Sequence, residues 1–294
     1  MDLALSPHAG KAIEERLGAD GARDWLSAVP ARLADLEQRW RVEPTANLHA
    51  GTSGLVFRAR CRDVEGGDVA LKLSFKEAEL EAEHHALRAA EKLDIRPLAR
   101  EYRYEPGVMA TFWISGTPAS PDVSAGELQR TLDEIHVAVP EDAPFRSLAD
   151  HVHAGLDRAF GRLPRAQHCG IHAGHLERAR DVAVALTAAG HRSYVHGDLH
   201  PTNLLSTPAG LMLCDPKGLA GDPAYDAANW SLKADKLMTR RAWIALFRER
   251  YGAARVGGWA AVLAACNAVS FAAQNKRPDR MVAYAELARE LLDR

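Results

Sequence analysis

Cysteine is scarce in this chain of 294 residues, and neither acidic nor basic residues are in marked excess. Only four cysteines are present, and no two of them form a C-x-x-C pair: Cys61, Cys169, Cys214 and Cys266. This spacing argues against a disulfide framework and favours a reducing, cytoplasmic environment. The formal net charge of −2 gives no electrostatic reason to expect binding to nucleic acid or to a membrane surface.

The hydrophobic pattern of the sequence also shows no sign of a targeting or membrane-spanning segment. The N-terminus has no basic segment ahead of an apolar one, so we expect no signal peptide. The longest apolar run, from Trp259 to Ala273, is rich in alanine and contains Asn267 and Ser270. A membrane span needs roughly 20 predominantly apolar residues. We therefore interpret this run as a buried helix and expect no membrane partner.

Hydrophobic periodicity predicts an α+β protein with a β-containing first part. Residues 8–40 place apolar side chains on one face and predict two helices, with Pro30 beginning or breaking one of them. A helix is also expected over 76–92. Four short apolar runs have the composition of strands: 55–57, 69–73, 101–104 and 108–114.

The second part is expected to be almost entirely helical. Only the short segments 195–203 and 211–215 interrupt its helical pattern. Between the two parts, Ser-Gly-Thr-Pro at 115–118 breaks regular structure and is the candidate hinge. We therefore place the domain boundary between residues 114 and 115. The first domain is predicted to be helical over 1–43 and mixed over 44–114.

The segment 196–203, His-Gly-Asp-Leu-His-Pro-Thr-Asn, carries the clearest chemical signal. It places Asn203 five residues after Asp198, which is the spacing of the kinase catalytic loop H-R-D-x-x-x-x-N. In that loop the aspartate accepts the proton of a hydroxyl group and the asparagine binds a metal ion. Gly197 replaces the kinase arginine. Asp215, twelve positions after Asn203, begins Asp-Pro-Lys-Gly, where kinases have the metal-binding D-F-G.

A glycine-containing turn upstream could bind phosphate groups. It comprises Gly51, Thr52, Ser53 and Gly54 between two predicted strands. Small residues allow main-chain N–H groups to approach a phosphate, and the two hydroxyl groups add donors. An ordinary hairpin turn explains this segment equally well.

Lys72 strengthens the kinase interpretation because it lies in Val-Ala-Leu-Lys, the counterpart of the kinase V-A-I-K strand. Such a lysine binds the α- and β-phosphates and needs a carboxylate to fix its position. Glu79 and Glu83 are both candidates, and we favour Glu83 because it precedes Leu87 on the inward face. The turn, the lysine, the glutamate, the catalytic loop and the metal aspartate thus occur in kinase order.

Beyond Tyr194 the sequence resembles the aminoglycoside phosphotransferase family more closely than the protein kinases. H-G-D-x-H-x-x-N is that family's form of the catalytic loop. The segment 215–226, D-P-K-G-L-A-G-D-P-A-Y-D, is similar to the branch of streptomycin 6-kinases and hydroxyurea phosphotransferases. The region from Trp25 to Trp40 resembles that branch too. The resemblance implies a bilobal protein kinase-like fold, with a small antiparallel-sheet N-lobe that binds nucleotide and a larger, mostly helical C-lobe (115–294) for catalysis and acceptor binding.

The resemblance also implies roles for individual residues. By position, Asp198 would be the catalytic base, Asn203 and Asp215 the Mg²⁺ ligands, and Lys72 the phosphate-binding lysine. The remaining nucleotide-binding candidates are Glu83, the glycine-containing turn at 51–54, and Phe112 and Ile114 of the segment 111–114. That segment replaces a Leu-Glu-Arg-Leu type sequence of the branch, which leaves GTP open as an alternative to ATP.

Several residues near the motifs are expected to support them. His200 either neutralises the transferred phosphoryl group or braces the loop through hydrogen bonds. Lys217 either contacts phosphate or pairs with Asp222 or Asp226. These two aspartates, together with His196, are expected to anchor the motif segments. By position alone, Trp230 and Asn275 are candidate acceptor-pocket residues, with ordinary packing as the alternative.

Three histidines could in principle share a helix face and mimic a zinc site: His168, His172 and His175. Gly170 and Gly174 weaken that helix, and no carboxylate or second cysteine completes an obvious ligand set. We therefore favour a polar connecting surface.

The function predicted from these motifs is ATP-dependent phosphorylation of a hydroxyl group on a small molecule, by a cytoplasmic monomer or homodimer. A small acceptor is expected because no long activation segment with an A-P-E end follows Asp215. An aminoglycoside antibiotic such as streptomycin is the first candidate, and a polycationic acceptor of this kind requires carboxylates in its pocket. Alternatives are a kinase of hydroxyurea, a cyclic-peptide antibiotic or a metabolic alcohol, and a catalytically silent binding protein. The presence of Lys72, Asp198, Asn203 and Asp215 together argues against the silent alternative.

Overall fold

The computed structural model describes residues 7–50, 53–63, 67–119, 123–234 and 239–293. The chain forms two compact units. The first comprises Met1–Lys92 and Ala99–Ser115, and the second comprises Leu93–Leu98 and Gly116–Arg294.

The first unit combines two helices with a five-stranded antiparallel sheet of order β1-β2-β3-β5-β4. Its elements are α1 (Pro7–Trp40), β1 (Val42–Ala50), β2 (Gly54–Cys61), β3 (Asp68–Ser74), α2 (Glu77–Lys92), β4 (Glu101–Glu105) and β5 (Val108–Phe112). Alternate residues of β2 and β3 point into one core, so that Leu55, Phe57 and Leu71 are fully buried. The core continues onto α1 through Leu36 and Trp40. The strands and α2 lie where the sequence predicts them.

The break between the two predicted N-terminal helices does not lie at Pro30, so that prediction is wrong. The helical region bends at Gly18, whose φ is 74° and ψ is 167°, while Pro30 lies inside the helix. Glycine adopts positive φ without a Cβ clash, so the chain can turn there without strain.

The second unit is mostly helical and contains two small three-stranded sheets, of order β10-β9-β6 and β7-β11-β8. Its helices are α3 (Ala125–Ile135), α4 (Leu148–Arg162), α5 (Ala173–Ala188), α6 (Ala224–Lys233), α7 (Arg240–Tyr251), α8 (Ala253–Ala273) and α9 (Pro278–Leu292). Its strands are β6 (Thr117–Pro118), β7 (Arg146–Ser147), β8 (Ser193–Val195), β9 (Leu204–Thr207), β10 (Gly210–Leu213) and β11 (Leu219–Gly221). The strands β6, β7, β9 and β11 lie outside the two short segments, 195–203 and 211–215, that are predicted to interrupt the helices.

Helix α8 is the central helix of this unit and packs against α4, α5, α6, α7 and α9. In the described part of the chain it is the one helix long and apolar enough to cross a membrane by length and composition, and 61% of its most apolar window is buried within the protein. Its buried residues include Trp259 and many alanines, which let the neighbouring helices approach closely. The apolar run is thus a buried helix, as its alanine-rich sequence predicts.

Candidate active site

The predicted catalytic loop lies in the second unit, between β8 and β9, and His196 fixes its start. The side chain of His196 is fully buried, and burial lowers its pKa below the ordinary value. A neutral imidazole has one donor and one acceptor nitrogen. Accordingly, Nε2 donates to the carbonyl of Cys214 at 2.9 Å, and Nδ1 accepts the N–H of Asp198 at 3.3 Å. The imidazole therefore ties the loop to the residue that precedes Asp215.

Asp226 holds the same loop from the first turn of α6. Its fully buried carboxylate accepts the N–H groups of His196 and Gly197 at 2.7 and 2.9 Å. Gly197 has a φ of 83°, and a Cβ on it would lie 2.8 Å from Leu219 Cδ1. A side chain at this position would therefore be strained, both by its φ and by the neighbouring Leu219. The loop conformation depends on the glycine and on the carboxylate beneath it.

Asp198 carries a cationic partner that sequence reasoning missed. Lys233 Nζ, at the end of α6, lies 2.5 Å from Asp198 Oδ1. Burial alone would raise the pKa of Asp198, but the charge of Lys233, followed by that of His200, outweighs it and holds the pKa below the ordinary value. Asp198 is therefore ionised at neutral pH, as a carboxyl group that accepts a proton must be. The two partners are 35 positions apart in the sequence, so their contact leaves no local signal there.

His200 braces the loop. Its Nδ1 lies 2.8 Å from Thr202 Oγ1. Burial, followed by the charge of Lys233, lowers the pKa of His200 to about 4. At neutral pH the imidazole carries no charge to neutralise a phosphoryl group, so the geometry favours the bracing alternative.

Asn203 and Asp215 offer oxygen atoms of the kind that Mg²⁺ prefers. Asn203 Nδ2 donates to the main-chain carbonyl of Asp198 at 3.0 Å, which leaves the amide oxygen as its ligand atom. The carbonyl of Asn203 in turn accepts the N–H of Cys214 at 3.0 Å, so the residue before Asp215 is bonded to Asn203. Asp215 is exposed and adopts a φ of 57°. An amide oxygen and a carboxylate fit Mg²⁺, which takes its other ligands from water and phosphate oxygens. The described residues contain no cluster of three or more His, Cys, Asp and Glu side chains that could hold a metal.

Lys217 and Asp222 lie downstream of this pair. The N–H of Lys217 donates to the carbonyl of His196 at 2.7 Å. Neither carboxylate considered as its partner pairs with its ammonium group in the described structure, because Asp226 binds the loop and Asp222 binds Arg255 and Trp259 Nε1. Asp222 therefore anchors the segment that leads into α6.

In the first unit, Lys72 pairs with Glu83. The Lys72 Nζ atom on β3 lies 2.6 Å from Glu83 Oε2 on α2, and their side chains are only 15% and 10% exposed. Glu79, the other candidate, bonds Lys76 Nζ at 2.7 Å. The lysine is thus fixed by the carboxylate favoured from the sequence.

The predicted phosphate-binding turn is only partly visible, since Gly51 and Thr52 lie outside the described residues. The carbonyl of Ser53 accepts the Ser74 hydroxyl at 2.8 Å. A Cβ on Gly54 would lie 1.8 Å from the carbonyl oxygen of Leu73. The close approach of β3 therefore requires this glycine whether or not a phosphate binds nearby.

The remaining candidates differ in exposure. The Phe112 ring packs edge-on against Tyr102, and Ile114 is half-buried. Trp230 is fully buried against Trp243, and Asn275 is exposed beyond the end of α8. Trp230 thus packs in the core and Asn275 lies on the surface, so neither position favours a role in an acceptor pocket over the alternative of ordinary packing.

The three histidines do not share a helix face. His168 lies in the short 3-10 turn Gln167–Cys169, and Gly170 follows in the left-handed conformation. His172 precedes α5, and its N–H donates to His175 Nδ1 at 3.1 Å. The pair caps a helix start, which is consistent with a polar connecting surface.

Comparison with known proteins identifies the family of this chain. The profile of the phosphotransferase enzyme family matches residues 47–264. The chain belongs to this family. The membership predicted from residues 194–230 is therefore confirmed, and the protein is an enzyme of the phosphotransferase class.

Two characterised relatives lie in the predicted branch. A hydroxyurea phosphotransferase of Kitasatospora aureofaciens is 29% identical over 234 residues, covering 73% of this chain and 64% of that protein. The match thus spans less than two thirds of that relative's length. A streptomycin 6-kinase of Streptomyces glaucescens is 27% identical over 258 residues, covering 80% of each chain.

Solved structures confirm the α+β, protein kinase-like fold. Choline kinase LicA from Streptococcus pneumoniae superimposes with a TM-score of 0.63 at 14% identity, covering 91% of this chain and 99% of that one. Macrolide 2'-phosphotransferase MphH from Brachybacterium faecium gives a TM-score of 0.57 at 17% identity, with coverages of 89% and 98%.

Proposed function

We propose that this protein transfers the γ-phosphate of ATP to a hydroxyl group of a small molecule. The observation that carries the proposal is the ionised carboxylate of Asp198, held by Lys233 in a loop that Asp226 and His196 fix from below. A catalytic carboxylate needs such a fixed position, because phosphoryl transfer depends mainly on the placement of the reacting groups. A protein that only bound its ligand would have no need for it.

In the proposed mechanism, Asp198 accepts a hydrogen bond from the acceptor hydroxyl and directs it at the γ-phosphorus. Its lowered pKa makes it a weak base. A weak base suffices when the transition state is loose, because the hydroxyl keeps its proton until late in the reaction. As the new O–P bond forms, the bond between the γ-phosphorus and the β,γ-bridging oxygen breaks, ADP leaves, and Asp198 takes the proton of the hydroxyl group. Lys233 keeps the carboxylate ionised and oriented until it takes that proton.

We propose that one cationic residue and two possible metal ligands bind the nucleotide. Lys72, fixed by Glu83, is proposed to bind the α- and β-phosphates. Asn203 and Asp215 would hold Mg²⁺, which supplies positive charge to the phosphate oxygens when bound. The proposed phosphate-binding lysine thus belongs to the first unit, and the proposed metal ligands and the catalytic base belong to the second.

The names of the relatives suggest the first acceptors to test. Streptomycin follows from the streptomycin 6-kinase, and hydroxyurea follows from the hydroxyurea phosphotransferase. A cyclic-peptide antibiotic and a metabolic alcohol remain alternatives within the same chemistry.

The test is phosphoryl transfer from labelled ATP to a panel of hydroxylated compounds, with Asp198→Asn and Asp215→Asn run in parallel. Loss of general-base assistance typically costs about 10²–10⁴-fold, so we expect Asp198→Asn to lower turnover by that factor with little change in nucleotide affinity. Asp215→Asn should weaken Mg-ATP binding as well as turnover. Near-normal turnover by Asp198→Asn on a true acceptor, with the chemical step limiting, would refute the mechanism.

A further inference from the structure

A cleft of about 220 Å³ opens in the second unit between α4, α6 and α8. Its polar lining side chains come from all three helices: His151, Arg158, Arg162, Tyr225, Asn267 and Ser270. No Asp or Glu is present among the described residues that line it. Its volume is below the roughly 300–1,000 Å³ of sites that enclose a drug-sized ligand, so it suits a small molecule or one end of a larger one.

Two arginines and no carboxylate are present among the described residues that line the cleft. Arg162 Nη1 donates to Ser270 Oγ at 2.9 Å, which fixes its guanidinium on the wall. Arg158 is exposed and has no carboxylate partner in the described structure. The adjacent acid, Asp157, bonds Arg180 Nη2 at 2.6 Å instead.

The cleft adjoins the catalytic loop. Tyr225 on its wall is the immediate neighbour of Asp226, which binds the loop N–H groups. The rings of Tyr225 and His151 meet edge to face, with their centroids 6.2 Å apart. Burial, followed by the charges of Arg146, Arg158 and Lys217, lowers the pKa of His151 to about 4, and the Asp198 carboxylate opposes this shift. Helix α4, which carries His151, begins directly after β7, and β7 and β8 both pair with β11, so the start of α4 lies near the strand that leads into the catalytic loop.

We propose that this cleft binds the acceptor through an acidic group, so that the acceptor is an alcohol bearing a carboxylate or a phosphate. This inference rests on the proposed phosphotransferase function and narrows its substrate class. A guanidinium pairs with either anion through two parallel hydrogen bonds. A polycationic acceptor would instead meet Arg158 and Arg162 without any lining carboxylate to compensate them. The cationic lining thus points away from the aminoglycoside candidate.

Binding calorimetry on the full chain tests this inference independently of turnover. The probes are matched pairs that differ in one acidic group: gluconate and glucose for the carboxylate, glycerol 3-phosphate and glycerol for the phosphate, with streptomycin as the polycation. We expect at least one acidic probe to bind about tenfold or more tightly than its neutral partner. Arg158→Gln should abolish this preference without changing the weak binding of the neutral compounds.

Arg165→Gln is the matched control, because Arg165 is exposed in the turn after α4 and does not line the cleft. It removes the same charge and should leave the acidic preference intact. Arg158→Lys keeps the charge but loses the planar fork, so it should retain part of the preference.

The outcomes separate this inference from the proposed function. If no acidic probe binds more tightly than its partner, or if Arg158→Gln keeps the preference, the acidic-acceptor inference is wrong. If the acidic-acceptor inference fails in this way but streptomycin is phosphorylated in an Asp198-dependent manner, the proposed phosphotransferase function is still supported. Arg158-dependent binding of an acidic probe, without phosphoryl transfer to any hydroxyl compound, would support the cleft and contradict the proposed function.

Discussion

Lys233 and Asp198 form a salt bridge in which both side chains are about one-third exposed, at 29% and 31%. Salt bridges at such exposure contribute little to stability. Their effect on the protonation state is larger, because burial acts against the charged carboxylate while Lys233 acts for it. We therefore assign Lys233 a positioning role rather than a stabilising one.

Replacing Lys233 with Met tests that role through the pH dependence of the reaction. Without the ammonium group the pKa of Asp198 rises, because burial is then opposed mainly by His200. Asp198 must be ionised to act, so the variant should lose kcat/KM as the pH falls through the raised pKa, while the wild type stays active to lower pH. The measurement is kcat/KM against pH for wild type, Lys233→Met and Lys233→Arg.

Lys233→Arg is the control, since it keeps a cation at the same distance and should keep the wild-type acid limb. If the dependence of kcat/KM on pH were the same for Lys233→Met and the wild type, Lys233 would have no role in the mechanism.

The sequence predicts single residues well where chemistry and spacing coincide within a few positions. Asp198, Asn203 and Asp215 lie within one short segment and carry their own signature. Lys233 does not, because its contact with Asp198 depends on how α6 packs and not on any local pattern. Arg158 was missed for the same reason, since an arginine on an exposed helix face is ordinary until its neighbours are known.

At the scale of elements, the entry into α6 joins the catalytic loop to the helical core. Asp222 is only 2% exposed. Its carboxylate accepts hydrogen bonds from Arg255, from Trp259 Nε1 at 2.9 Å and from the N–H of Ala224 at 2.9 Å. Burial would raise its pKa, but these hydrogen bonds outweigh it and lower the pKa. Asp222 thus joins α8 to the start of the helix that carries Asp226.

Asp222→Ala should lower the free energy of unfolding by about 2–4 kcal/mol, because it leaves the buried N–H groups of Trp259 and Ala224 without an acceptor, at about 1–3 kcal/mol each, while the partly exposed Arg255 can turn to water. Thermal or urea unfolding of the free protein measures this. Asp142→Ala, at an exposed position, should change stability by about 0.5 kcal/mol or less. A similar small change for Asp222→Ala would show that the ion pair is dispensable.

The pH dependence of this contribution has a definite sign. The carboxylate has a lowered pKa in the folded state, so its stabilisation is present above the unfolded value of roughly 3.9. It is lost as the pH falls through the folded pKa. Wild type and Asp222→Ala should therefore converge in stability in strong acid.

Elements were predictable where their pattern is local. The strands around Leu55 and Leu71 and the helix α2 carry their own periodicity. The two-residue strands do not: Thr117 is a strand residue only because it pairs with Ser206, and Arg146 only because it pairs with Leu219. The helix break was misplaced because proline is the stronger signal in a sequence, whereas the positive φ of Gly18 is visible only in the structure.

At the scale of the whole molecule, Mg-ATP should stabilise the folded state by mass action. A ligand at 100 times its Kd adds about 2.7 kcal/mol to the free energy of unfolding. We expect a rise in the melting temperature with millimolar Mg-ATP and a smaller rise in excess chelator, and chelator should also abolish phosphoryl transfer. Asp215→Asn should show a reduced shift. The absence of any shift with both ATP and GTP would favour a silent binding protein.

The acceptor is the property that the fold does not determine. The relatives share a family with this chain at 27–29% identity, yet their names cite different acceptors. The residues that bind phosphate and metal are of the same few types whatever the acceptor is, so a sequence motif predicts these residues. Acceptor recognition depends on cleft residues such as Arg158, which belong to no motif.

Gly197 also affects how the catalytic loop is held in position. Protein kinases carry an arginine at this point of the catalytic loop, and kinase activation loops are ordered by phosphorylation through new pairs between arginine and the phosphorylated residue. Here a Cβ would already collide with Leu219, and the φ of 83° disfavours any side chain. The loop therefore has no place for a phosphate-sensing arginine, and the hydrogen bonds from His196 and Gly197 to Asp226 hold it in position without one. Ordering of this loop by an arginine at position 197 that pairs with a phosphorylated residue is therefore not expected in this chain.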